Sequence, residues 1–236
     1  MAKDLVFEIG TEEIPAKFMN KAIEQLKENA EKVFKENRIE YKSLNTYGTP
    51  RRLVLYVKDM EEKQQDLELE VKGPSVRAAY DKDNNPTKAL LGFAKANGLE
   101  LKGIYVKELN GAEYVYGKKH LIGEKTIEVL KKILPELLVS ITFPKSMKWG
   151  NKSFRFARPV RWLVPIFGDE LVEFNKDDIT CSKYSRGHRV LSQGEIEISN
   201  ASDYFHKMRE AYVIVDQDER RKMIINQCEE IAKKVN

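Results

Sequence analysis

Residues 143–167, FPKSMKWGNKSFRFARPVRWLVPIF, carry six basic side chains: Lys145, Lys148, Lys152, Arg155, Arg158 and Arg161. Six aromatic rings are interleaved with them: Phe143, Trp149, Phe154, Phe156, Trp162 and Phe167. No Asp or Glu occurs between Glu136 and Asp169. Ammonium and guanidinium groups neutralise phosphates, and flat rings or guanidinium planes accept bases, so the pattern suits a nucleic acid. It reads equally as a buried strand with solvated lysines on either side, because a basic patch is a footprint and not a proof. Ser185-Arg186-Gly187-His188-Arg189 is a second cluster. Its glycine lets a ligand approach the backbone closely, which fits a ligand or nucleic-acid role better than a plain loop. Arg51 and Arg52, beside Gly48-Thr49-Pro50, either bind phosphate or bracket the edge of a sheet.

Other chemistry is thinner. Nothing matches a P-loop or a dinucleotide fingerprint. His120, His188 and His206 lack metal-like spacing. Cys181 lies seven residues before His188, the arrangement of a nucleophile and its base. No third orienting residue stands out, and a lone buried cysteine is the commoner case. Glu8, Glu12 and Glu13 offer carboxylates for a metal or for acid–base work. The simpler alternative makes Glu12 and Glu13 complements of a helix dipole and Glu8 a solvated strand residue.

The elements that must position these groups follow from periodicity. Residues 4–9 predict a strand, and Thr11-Glu12-Glu13-Ile14-Pro15 predicts a capped helix start. The helix runs to about Asn37 with Phe18, Ala22, Leu26, Ala30, Val33 and Phe34 on one face. Residues 51–58 form a strand, and 59–70 are polar and exposed, with Gly73-Pro74 as a break. Asn85-Pro86 opens a helix that Gly98 closes. Asn110-Gly111 between β-rich runs makes a tight hairpin. A helix over 124–139 follows, with Leu130, Ile133, Leu134, Leu137 and Leu138 inward and a kink or tail at Pro135. Val160–Phe167 and 170–174 are strands; alternation makes Trp162 core if Arg161 faces solvent. Trp149, in a turn-like Lys-Trp-Gly, is the better stacking candidate. A strand at 195–198, a helix capped by Asn200, a short strand over 212–215 and a last helix from Asp216 complete the chain. That helix shows Ile224, Cys228, Ile231 and Val235 on one face and stops without a cap, the mark of a fragment.

The fold class is therefore α+β, with mixed or antiparallel sheets and flanking helices. Expected divisions are 1–60, standing alone or joining the main sheet; 61–200, the main domain; and 201–236, the start of a helical region. Of the 236 residues, 41 are Lys or Arg and 37 Asp or Glu, a net charge of +4, so an anionic partner must be met by a local patch. Two distant cysteines make neither a disulfide framework nor a zinc site, which fits a reducing cytoplasm. The apolar run of MAKDLVFEIG is too short for a signal peptide, and no stretch reaches membrane-span length.

Seven stretches occur in this order: EIGTEEIPAKF, YGTPRRLVLYV, VKGP, FPKSMKWG, FARPVRWLVPIFG, SRGHR and DQDERRKMI. Together they resemble the amino-terminal region of the beta subunit of bacterial heterotetrameric glycyl-tRNA synthetase, from about residue 4 to about residue 235. The resemblance implies that the chain is roughly the first third of a longer subunit. It implies a fold similar to the editing-type domain of the phenylalanyl-tRNA synthetase beta chain, near the acceptor stem. It implies part of a class II glycine–tRNA ligase whose alpha subunit holds the catalytic core and uses ATP and Mg. This region then has no catalytic residue, metal or cofactor of its own and is inactive alone. The implied partners are the alpha subunit and the acceptor arm of tRNA-Gly, with no membrane. The expected RNA contacts are Lys145, Lys148, Trp149, Lys152, Arg155, Arg158, Arg161, Arg186, His188 and Arg189. Two alternatives stand beside this. One is hydrolytic editing of mischarged tRNA, with Glu8–Glu13 or Cys181–His188 lining the pocket. The other is a scaffold that docks the alpha subunit.

Overall fold

The computed structural model describes residues 2–235, the side chain of Val235 excepted. The chain runs β1 (Lys3–Thr11), α1 (Ala16–Glu36), β2 (Ser43–Thr49), β3 (Arg52–Met60), β4 (Leu67–Ser75), α2 (Val76–Ala79), α3 (Lys88–Asn97), β5 (Ile104–Leu109), β6 (Ala112–Leu121) and α4 (Thr126–Ser140). Then come β7 (Met147–Lys148), β8 (Arg155–Phe156), β9 (Val160–Phe167), β10 (Glu170–Leu171), β11 (Asn175–Lys176), β12 (Ile179–Thr180), β13 (Tyr184–Arg186), β14 (Glu195–Glu197), α5 (Tyr204–Glu210) and α6 (Gln217–Val235). The ladders between these strands are antiparallel, which makes the protein α+β. It divides into two compact units, one built from the residues up to Gln64 and from Glu124 onward, the other from Gln65–Gly123.

The larger unit is organised on a five-stranded sheet, β10-β9-β1-β3-β2. β1 lies between β9 and β3 and is covered on both faces, because side chains alternate along a strand. Leu5, Phe7 and Ile9 meet the apolar stripe of α1 (Phe18, Ala22, Leu26, Ala30 and Phe34) and the buried face of α4 (Leu130, Ile133, Leu134, Leu137 and Leu138). Val6 on the opposite face joins Val54, Trp162, Val164 and Ile166 beneath Tyr204 and Met208 of α5. Pro135 lies inside α4 rather than at its end.

Several local expectations are corrected. Thr11 ends β1 instead of capping α1, whose N-cap is Pro15 without a side-chain bond. Glu12 and Glu13 lie before the first turn, which is free of acids. No element is expected over β2, which ends in the turn-like Gly48-Thr49, and β4 spans the end of the polar stretch 59–70 and the expected break at Gly73-Pro74. Both are edge strands; β2 buries mainly alternate residues and β4 has none fully buried, so neither shows a continuous apolar run. Pro86 precedes α3 instead of opening it. Tyr212 turns with φ 61°, so 212–215 is not a strand. Asp216 does accept the Asp218 and Glu219 amides at the head of α6. The expected inward face of α6 is exposed at Ile224, Cys228 and Ile231, while the Val235 side chain lies outside the described residues.

The smaller unit is a three-stranded sheet, β4-β6-β5, with Val115 of β6 buried against Ala79 and Leu90 of the α2–α3 layer. Its Asn110-Gly111 turn has φ of 54° and 76°, the type I′ geometry expected of that pair. Gly98 ends α3 at φ 65°, also as expected.

Candidate anion-binding site

At one end of the large sheet the β2–β3 turn, the start of β9 and the loop after β13 come together. Trp162 lies flat on β1 because its neighbour there is glycine. A Cβ on Gly10 would fall 1.9 Å from Trp162 Cε2. The guanidinium carbons of Arg186 and Arg51 sit 5.1 and 5.6 Å from the Trp162 ring centroid, within cation–π range. Opposite Gly10 and Thr11 stand Trp162 and Val160, so Arg161 is the extra residue of a bulge, aimed away from the core. Its Nε lies 3.5 Å from Glu12 Oε1, while Arg189 Nη2 lies 3.5 Å from Glu12 Oε2 and 3.1 Å from Glu13 Oε1. Glu12 thus ties Arg161 to Arg189.

Two adjoining cavities, about 290 and 360 Å³, share Arg51, Gly187, His188 and Arg189 as walls. Arg186 and Ser192 line the second. Gly187 is required by packing, since a Cβ there would meet Ser192 Oγ at 2.4 Å. The His188 ring accepts the Val190 and Leu191 amides at Nδ1, 3.2 Å each, which orients it. Arg51 Nε is buried without a hydrogen-bond partner. Burial, and next the Arg189 charge, push the Arg51 pKa down from its ordinary value. A bound anion would relieve both costs, supplying the missing acceptor and the opposite charge.

What holds this end rigid is a buried cluster around Glu8, which is wholly inaccessible. Ser185 Oγ donates to its carboxylate at 2.8 and 2.9 Å, and Trp162 Nε1 and the Tyr204 hydroxyl donate as well. Arg52 Nη1 lies 3.8 Å from Glu8 Oε2, and Arg52 Nη2 donates to the Arg186 carbonyl at 2.6 Å. Glu8 is therefore not a solvated strand residue, because the α5 layer closes that face of β1. Arg52 neither meets solvent nor brackets an edge; it anchors the loop that carries Arg186.

The cations of 143–167 do not form one row. Arg161 joins the arginine cluster, but Lys145, Lys148 and Arg155 project from the β7–β8 region, whose Phe154 and Phe156 pack with α1 and α4 on the other face of the sheet. Arg155 donates to the Ser146 carbonyl at 2.6 Å. Lys152 is paired with Asp178. Arg158 is half-buried and donates to the Ala157 carbonyl at 3.0 Å. Trp149 is half-buried against the same core, with its indole N–H given to the Phe156 carbonyl at 3.0 Å, so it is not a free platform. Of the remaining rings Phe154, Phe156, Trp162 and Phe167 are buried and Phe143 packs half-buried against the core, while Arg161 at the bulge is exposed. Cys181 donates to the Phe174 carbonyl at 3.2 Å, and burial pushes its thiol up to about 11. It packs against the α1–α4 core and is no activated nucleophile.

An α+β scaffold whose buried Glu8–Arg52 cluster anchors the loop of Arg186 beside two arginine-lined cavities is the class that the fold and the site define. The sequence comparisons make the class specific. The family model described as glycyl-tRNA synthetase beta subunit matches residues 5–236. Glycine--tRNA ligase beta subunits of Desulforamulus reducens and Clostridioides difficile are 47% and 46% identical over 98% of this chain, covering 33% and 34% of their own lengths. That of Desulfitobacterium hafniense is 46% identical over the whole chain and 34% of its own. The chain belongs to the glycyl-tRNA synthetase beta subunit family and spans about a third of the length of the curated relatives it matches.

Proposed function

We propose that this region grips the acceptor arm of tRNA-Gly while an alpha subunit, with its own class II core, ATP and Mg, attaches glycine. The region has the editing-type fold of the phenylalanyl-tRNA synthetase beta chain, works in the cytoplasm and is inactive as a ligase by itself. The observation that carries the proposal is the meeting of Arg51, Arg161, Arg186, His188 and Arg189 at one end of the sheet. Guanidinium groups held in place suit phosphates, and the cavities beside them have room for an unpaired nucleotide. Lys145, Lys148 and Arg155 form a second patch that meets the arm from the other side. Lys152 and Arg158 contribute less, because Asp178 and the Ala157 carbonyl already occupy them, and Trp149 supports the β7–β8 region instead of stacking.

The test is tRNA-Gly binding by the alpha–beta complex across a salt series. Each lost phosphate contact reduces the slope of log affinity against log salt by roughly 0.7 to 0.9. The double variant Arg186→Ala, Arg189→Ala should therefore flatten the slope by under about two units. An unchanged slope with the fold intact removes the cluster from the interface. Loss of alpha-subunit capture with tRNA binding preserved would favour the scaffold role, and deacylation of alanyl-tRNA-Gly would favour editing.

A further inference from the structure

The smaller unit has helices on one face of its sheet only. Val115 points to that covered face, so its neighbours Tyr114 and Tyr116 point to the other. Cross-strand pairing adds Tyr105 and Lys107 from β5 and Glu70 and Lys72 from β4 to the same open face. The Tyr105 and Tyr116 ring planes lie within 23° of each other at a centroid distance of 6.3 Å. Lys107 Nζ stands 5.6 Å from both centroids, and Lys72 Nζ stands 3.5 Å from that of Tyr114. Glu70 reaches across to the Tyr105 hydroxyl and Lys107, and both bonds end on its Oε1. A carboxylate accepts up to about four bonds, so Glu70 retains capacity on Oε2.

We propose that this open face binds an unpaired RNA strand, stacking bases on Tyr105 and Tyr116 and selecting, through Glu70, bases that bear an exocyclic amine. Aromatic rings on an exposed sheet are how small α+β modules hold unstacked bases. A base stacked on a ring outcompetes an exposed lysine lying over it, so Lys72 and Lys107 swing aside to the phosphates. A carboxylate accepts from the amine of cytosine or adenine and repels the carbonyl edge of uracil. The proposal rests on the RNA-binding role given above but uses a different surface, so the two can fail separately.

The probes are fluorescent hexacytidylate and hexauridylate, titrated against the 236-residue chain by anisotropy. Hexacytidylate should bind more tightly by about tenfold, the discrimination expected of one base-edge contact. Tyr116→Leu should weaken it by about tenfold or more. Glu70→Ala should bring the two affinities together. Arg186→Ala with Arg189→Ala should leave the preference for cytidylate in place. Unchanged hexacytidylate affinity in Tyr116→Leu and Tyr105→Leu overturns the proposal, as does equal binding of the two oligomers by the unaltered chain. If only the arginine variant loses the oligomers, this surface is excluded and the arginine site stands.

Discussion

Glu8 shows how one side chain can govern a whole surface. It accepts from Trp162, Ser185 and Tyr204 and faces Arg52, which in turn holds the Arg186 carbonyl. Glu8→Ala leaves a guanidinium only 2% exposed without its carboxylate. Breaking a buried pair from one side costs about 3–5 kcal/mol. Urea unfolding should show a loss of that size, and Glu8→Gln, which keeps shape and one acceptor, a smaller one. A loss below about 1 kcal/mol for Glu8→Ala would mean that the cluster is not what secures this end of the sheet. The sequence does mark Glu8 as unusual, since it interrupts LVFEIG, but a carboxylate in an apolar strand is consistent with either solvent or a hidden partner. The partners lie more than 40 residues away in the chain, which is why residue types nearby could not decide it.

At the level of elements, strong local signals survived and weak ones did not. The stripes of α1 and α4, the Asn110-Gly111 hairpin and the β9 strand all follow from spacing. β2 and β4 escaped because both are edge strands, β2 buries mainly alternate residues, β4 has none fully buried, and each holds glycine. The Arg186-Gly187-His188-Arg189 cluster was legible because glycine among cations is a backbone demand as well as a charge pattern. The rings of 143–167 misled because the aromatic residues that suit bases also suit a core. Two tyrosines couple elements in a way that pH should expose. Tyr56 of β3 donates to Asp4 of β1, and Tyr204 of α5 to Glu8 of β1. Burial first, with those carboxylates adding to it, raises both pKa values above the ordinary value of 10.0. The folded state then holds protons that the unfolded chain releases, so this contribution is complete below about pH 10 and is lost as pH climbs beyond it. Stability measured from pH 8 to 11 should be flat at first and then fall. Tyr56→Phe should soften the fall, and an unchanged alkaline limb would deny Tyr56 this role.

For the molecule as a whole, the two units differ in what holds them. The larger has dense cores on both faces of its sheet, whereas the smaller buries fully little beyond Ala79, Leu90 and Val115 among its apolar side chains. A small unit with a small core is marginal on its own. Amides in Gln65–Gly123 should therefore exchange with deuterium well before those of β1, β3 and β9. Equal protection would mean that the two units unfold as one.

The junction at Gln64 and Glu124 has a further consequence. The Gln64 amide donates to the Glu124 carbonyl at 3.0 Å, the Gln64 side chain accepts the Glu124 amide at 3.0 Å, and Lys63 and Lys125 form an adjacent bridge. Where the chain leaves and where it returns are thus already fastened together. Whatever is strung between those two points is topologically a cassette, free to be lengthened, exchanged or lost during evolution by a splice at a single spot, without rethreading the sheet that carries the arginines.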